Sequence, residues 1–445
     1  MFTKLKAKFM LKKSILFFLA LCVSTATFAA SSKGPSIQQW QTENGAKVLF
    51  VSSSELPIID LRIVFDAGSA KDGEQPGLAL LTNALLSEGT GELGATEIAK
   101  HFESLGVKFR TGSYRDMALL SLRSLSDKEL LTPALEMFTR VLAEPSFPTE
   151  SFERERNRLL VSLQSEKQSI GTVTDKAFFK TVYGNHPYAL PSKGTEESVS
   201  QIKLSSLQQF HQQYYVSQNA TIAIMGDLPR TQAEKIAEKI SSGLPKGKPA
   251  NIVPTPEKTE AKTVRINHPS QQTHIKMGHP GMSRKDSDFF PLYLGNHILG
   301  GSGLVSRLSD EIREKRGLSY SAYSGFSPMR ANGPYTLSLQ TRNDQTEEAL
   351  NVLRDTLENY IKNGPTDEEI LAAKRNITGS FPLRIASNSS IVEYLSLIGF
   401  YDLPLNYLDT FNEKIEAVTK QDIIDAYQRR VSMDQMITII VGGEQ

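Results

Sequence analysis

The second half of this chain repeats the pattern of the first, and that duplication limits the possible folds more than any other feature. Ser205-Ser206-Leu207-Gln208-Gln209-Phe210 leads into the β-branched run Thr221-Ile222-Ala223-Ile224-Met225-Gly226. Thr419-Lys420-Gln421-Asp422-Ile423-Ile424 leads through Tyr427 into Thr438-Ile439-Ile440-Val441-Gly442. Each is a polar helix start, an amphipathic helix, and a strand closed by glycine. A second match lies inside each half. Alternating strands from Leu105-Gly106-Val107 through Leu119–Leu122 precede a helical segment near Leu130–Leu142. Strands from Gly317-Leu318-Ser319 through Tyr335–Leu339 precede another near Thr346–Lys362. The chain therefore reads as two units of roughly 200 residues, an ordinary domain size. The expected boundaries are 36–242 for the first, 263–445 for the second, and a proline- and lysine-rich linker at 243–262. The expected class is α+β, with two similar duplicated domains, each a mainly antiparallel sheet with helices packed on one face.

Composition narrows the partners. Formal net charge is +1, and the charges are interspersed, so nothing points to nucleic acid or an anionic membrane surface. Lys4, Lys6, Lys8, Lys12 and Lys13 precede a short apolar run, Ile15 to Val23, and small residues ending Thr27-Phe28-Ala29-Ala30. That is the layout of a secretory signal peptide, residues 1–29, with cleavage after Ala29. A lipoprotein signal competes through Cys22, but Leu21 before the cysteine fits it poorly. The run is too short for a stable membrane span. The expected location is periplasmic or secreted, with no stable span after signal removal. Cys22 is the only cysteine, so the processed chain has no thiol nucleophile and no thiolate metal site.

The chemistry turns on Gly77-Leu78-Ala79-Leu80-Leu81-Thr82-Asn83-Ala84-Leu85-Leu86-Ser87-Glu88-Gly89-Thr90, which follows a strand ending Phe65-Asp66-Ala67-Gly68-Ser69. This strand–loop–helix resembles the insulinase/pitrilysin metallopeptidase family, whose helix carries H-x-x-E-H. The resemblance implies that the first zinc histidine falls at Leu80, the catalytic glutamate at Asn83 and the second histidine at Ala84. The family's third ligand, a glutamate on a later helix, falls at Ser162, within a segment beginning Phe152-Glu153-Arg154. Histidines at i and i+4 share a helix face and reach one ion. Leucine and alanine offer zinc no lone pair, and an amide is no base at neutral pH. All four positions are changed together, so the resemblance is to a member without its zinc. Elsewhere His101, His186, His211, His268, His274, His279 and His297 contain no i,i+4 pair. No nucleophile elbow or phosphate-binding loop is present.

The second half carries Leu299-Gly300-Gly301-Ser302-Gly303-Leu304, then Arg313 and Tyr320. This stretch resembles the C-terminal half of the same family. The glycine loop, Gly300, Gly301, Ser302 and Gly303, is expected either to let a peptide approach or simply to turn the chain. In the family an Arg-x6-Tyr pair reaches toward the zinc site across a chamber. By that resemblance Arg313 and Tyr320 are expected to act in trans, donating to the developing oxyanion at a partner's zinc. The expectation is a non-catalytic subunit, with no cofactor of its own, paired with a homologous zinc-bearing subunit and acting on peptide or unfolded polypeptide. Two other readings stay open: a catalysis-free peptide-binding or scaffold protein of the envelope, and a stand-alone peptidase with an unrecognised metal site.

Overall fold

The computed structural model describes residues 34–443, so the signal-peptide assignment lies outside the described residues. Two sheets organise the chain from Ile37 onward. The first runs, edge to edge, Gln38–Gln41, Lys47–Ser52, Ala220–Gly226, Ile58–Phe65, Ala118–Leu125, Lys108–Ser113. The second runs Lys262–Ile266, Ile437–Gly443, Ser270–Pro280, Pro334–Arg342, Ala322–Phe326.

Apart from the extra edge strand Gln38–Gln41, the two sheets have one topology. In each, the last strand of the half slots between the first two long ones. It runs parallel to one, with Lys47 opposite Thr221 and Lys262 opposite Ile437. It runs antiparallel to the other, with Ile63 opposite Ile222 and Ile275 opposite Ile440. The remaining pairings are antiparallel. This is the expected α+β duplication, with matching order and direction in both halves.

One layer was not expected. The helices of the first half, among them Lys128–Ala143 and Leu204–Tyr214, cover the sheet face carrying Ile59, Leu61, Ile63 and Phe65. The opposite face, with Leu49, Val51, Ala223 and Met225, packs into the core of the second half, beside Val392, Leu395 and Ile398 of the helix Asn388–Phe400. The exchange is mutual. Helix Ile170–Tyr183 of the first half lays Phe178, Val182 and Tyr183 against Ile437, Ile439 and Val441 of the second sheet. A strand buried on both faces reads as a continuous apolar run, and that is what Ala220–Met225 and Ile437–Val441 show.

Glycines admit the exchanged helices. A Cβ on Gly399 would lie 2.5 Å from both Leu49 and Thr221 side chains. A Cβ on Gly278 would lie 2.9 Å from the Phe178 ring and 2.0 Å from the Tyr335 carbonyl. The linker carries no helix or strand from 245 to 261, but it is pinned. Ser217 and Gln218 donate to the carbonyls of Pro245 and Lys246, Ala250 donates to Asn219, and Ala261 donates to Asp434.

Candidate functional site

The segment after Phe65 turns at Gly68, where a Cβ would meet backbone atoms of Arg115 and Met117 at 2.4 Å. It then enters the helix Leu78–Leu85. No side chain within the helix caps it. Asp72 does so from upstream, accepting from the amides of Gly77 at 2.8 Å and Ala79 at 2.7 Å. Burial pushes the Asp72 carboxyl up to about 7, against the pull of those two amides. The loop and cap that present this helix are therefore built in full.

Its chemistry is not. Helix Leu78–Leu85 packs against helix Thr149–Glu166, so the four positions expected from the resemblance, 80, 83, 84 and 162, lie on two touching helices. Leu80 packs on the hydrophobic core, and Ala84 is half-buried. Asn83 is buried and turned to other work: its Nδ2 donates to the Tyr215 hydroxyl at 3.2 Å and the Leu119 carbonyl at 3.4 Å. Ser162 is half-buried. Glu166, a turn further on, accepts from Lys176 at 2.8 Å and Lys193 at 2.7 Å. Burial raises its carboxyl, but the lysines more than offset that and hold it below the usual carboxylate range. The residues present do not fit a zinc ion. Among the described residues, no three histidine, cysteine or acidic side chains converge as a metal site needs.

The second-half residues are gathered more tightly. The chain from His297 to Glu314 is a succession of short, irregular helical turns. Gly300 is buried against strand Ala322–Phe326, where a Cβ would sit 2.5 Å from the amide and hydroxyl of Ser324. A Cβ on Gly301 would lie 2.9 Å from the Asn296 amide. Gly303 has φ +66° and open space around it. Packing thus requires the first two, and backbone conformation favours glycine at the third. The loop also lifts Leu304 and Val305 into solvent, Val305 being 86% exposed. Arg313 sits with its guanidinium carbon 4.9 Å from the centre of the Tyr320 ring, a cation–π stack. Tyr320 is 84% exposed, just before strand Ala322–Phe326, and its hydroxyl has no partner among the described residues. Arg313 makes one loose contact, 3.4 Å to Glu314. A half-buried cation and an exposed hydroxyl held together, with little else to bond, are free to donate to a ligand.

Sequence reasoning missed a cavity beside this loop. It has a volume of about 340 Å³ and borders on Gly301, His297, Arg284 and Arg384. Its lining spans Met282 to Phe411, so no local motif announces it. It likewise missed a buried polar junction, in which Asp116 accepts from the Tyr188 and Tyr401 hydroxyls and the Arg330 amide.

Residues 47–196 match the family model described as insulinase (peptidase family M16). Residues 201–377 match the one described as the peptidase M16 inactive domain. A crystal structure of a peptidase M16 inactive domain from Pseudomonas fluorescens superposes with a TM-score of 0.89 at 43% identity, covering 91% of this chain and 97% of that one. A protease from Helicobacter pylori shares the fold, with a TM-score of 0.84 at 19% identity and coverage of 92% and 99%. A non-peptidase homolog, YmxG, from Helicobacter pylori is 27% identical over 91% of this chain and 94% of its own length.

Proposed function

The chain belongs to the insulinase family, peptidase M16, as an inactive member, and from that premise we propose that it is the non-catalytic subunit of a two-chain zinc metalloprotease. The observation that carries the reading is a contrast between halves. The positions expected for the three zinc ligands, Leu80, Ala84 and Ser162, and for the base, Asn83, offer neither ligand nor base, while Arg313 and Tyr320 stand stacked, with one loose contact from Arg313 to Glu314. A homologous zinc-bearing subunit supplies the metal and the base. Arg313 and Tyr320 donate to the carbonyl oxygen of the peptide under attack, where negative charge develops. Gly300 to Gly303 bring backbone close to an extended substrate. The assembly works in the periplasm, a reading supported by the basic and then apolar N-terminus of the sequence, laid out as a secretory signal.

The test is co-expression of the processed chain with its zinc-bearing homologue and an assay on an internally quenched peptide. Mixing should create activity that neither chain has alone. Arg313→Ala should leave the heterodimer intact and lower kcat by roughly 10²-fold, the usual effect of removing one oxyanion donor. Turnover that is unchanged in this variant rejects the in-trans role. A complex that forms but never gains proteolysis favours the scaffold reading. Tightly bound metal and activity from this chain alone favour the stand-alone peptidase.

A further inference from the structure

We propose that the cavity beside the glycine loop is a carboxylate-binding subsite, reading an acidic group on the peptide that the second half holds. The proposal rests on the peptide-binding reading above and specifies the chemistry of the peptide.

The cavity of about 340 Å³ is the size at which small-ligand pockets begin, roughly 300 Å³. It takes one side chain or a chain end. It lies between the helix start Phe289–Asn296, strand Ala322–Phe326 and the C-terminal end of helix Asp367–Arg384. Two arginines line it and, among the described residues, no acidic side chain does. Arg284 is half-buried over the Phe289 ring at 5.3 Å. Its Nε is buried without a hydrogen-bond partner, and it makes no ion pair among the described residues. The carboxylates nearest in sequence are already taken. Arg429 and Arg430 hold Asp288 at 2.7 and 2.9 Å, and Arg430 holds Asp286 at 2.8 Å. Arg384 donates one N–H to the Tyr293 hydroxyl at 2.8 Å and keeps the rest of its guanidinium for a ligand. Its charge reaches His297, on the same wall, whose ring is lowered from its usual range first by burial and then by Arg384. Both arginines also act on Tyr394, opposing the burial that raises its hydroxyl.

A half-buried guanidinium whose Nε is buried and idle is costly unless an acceptor completes it. Planar bidentate pairing makes a carboxylate the matched partner. The aromatic walls, Phe289, Tyr293, Phe326 and Tyr407 among them, suit the methylene stem of a glutamate or the last residue of a chain. Gly301 borders the cavity, so a peptide lying on the glycine loop would deliver its side chain there.

Full-length processed chain is titrated with fluorescent unstructured peptides by anisotropy at low salt. The set is one neutral peptide with an amidated C-terminus, the same peptide with one glutamate, and the same peptide with a free C-terminus. N-acetylglutamate serves as a competitor without a peptide. One of the acidic peptides should bind about tenfold more tightly than the neutral one, the worth of one charge-assisted pair. Which one does so identifies the source as a side chain or a chain end. Arg284→Gln and Arg384→Gln should erase the difference and leave neutral-peptide binding untouched. Arg284→Lys, which keeps the charge and the fold but not the planar fork, should retain only part of it. If all peptides bind alike and the variants change nothing, the subsite is wrong though peptide binding stands. If no peptide binds but N-acetylglutamate does, in an Arg284-dependent way, the subsite stands and the peptide reading falls. Binding of neither overturns the subsite.

Discussion

By the family resemblance Asn83 is expected to stand where active relatives carry their general base, yet it cannot be read as mere decay. Its amide is buried and donates to Tyr215 and Leu119, so it has become part of the core's hydrogen bonding. Burial raises the Tyr215 hydroxyl far above its ordinary range, so that group stays protonated and needs its partners. Replacing Asn83 by leucine should therefore lower stability by about 1–3 kcal/mol in urea unfolding, the penalty for orphaning a buried polar group. A change below a few tenths would mean the amide is dispensable. That Leu80 and Ala84 offer a metal nothing was legible from residue type alone, because no fold can give an alkyl group a lone pair. The new employment of Asn83 was not, because Tyr215 lies far along the chain. The Arg313–Tyr320 spacing was legible as a pair, but their stacking depends on irregular turns no periodicity describes.

Among the elements, the helix Leu78–Leu85 depends on a cap that lies outside it. Asp72 is raised by burial to about 7, whereas an unfolded aspartate titrates near 3.8. Between those values the folded chain keeps a proton that the unfolded chain has released. Stability contributed by Asp72 is then full below about 3.8 and is lost as pH rises toward about 7. The difference in unfolding free energy between the wild type and Asp72→Asn should carry that slope across the window and be flat above it. A flat difference from pH 4 to 7 would show that the two amides hold the carboxylate charged. The crossed helices give a second expectation. Gly278→Ala sets a Cβ 2.0 Å from a backbone carbonyl, whereas Gly399→Ala meets only side-chain methyls at 2.5 Å. Both overpack, by about 1–3 kcal/mol or more, and the first should cost more because backbone cannot turn aside. Thermal midpoints in the reverse order would refute the account.

For the whole molecule, the exchanged helices and the Asp116 junction join the halves through buried surface. Asp116 of the first half accepts from Tyr401 and the Arg330 amide of the second, at 3.1 and 2.7 Å. Tyr188 returns the link, donating to Asp116 at 2.5 Å and accepting from the Ala331 amide at 3.2 Å. The halves should therefore unfold together. Trp40, the single tryptophan, lies in the first sheet, so its fluorescence reports that half, and far-ultraviolet dichroism reports both. The two denaturation curves should coincide, and distinct midpoints would mean independent halves. Asp116→Asn puts an amide hydrogen where a donor already points, and should shift the common midpoint down by an amount equal to about 1–3 kcal/mol.

The sequence by itself determined the duplication, the α+β character and the residue types at positions 80, 83, 84 and 162, which offer zinc no histidine and no carboxylate. Each of these follows from residue type or from periodicity within a short window. Only the tertiary structure decided that each half's helix covers the other half's sheet, that Asp116 fastens the two, and that Arg284 and Arg384 share one cavity without a counter-charge. Those features join residues from distant stretches of chain. A pairing of that kind leaves no periodic mark, because it is selected by the packing of completed elements and not by the local preferences that form them.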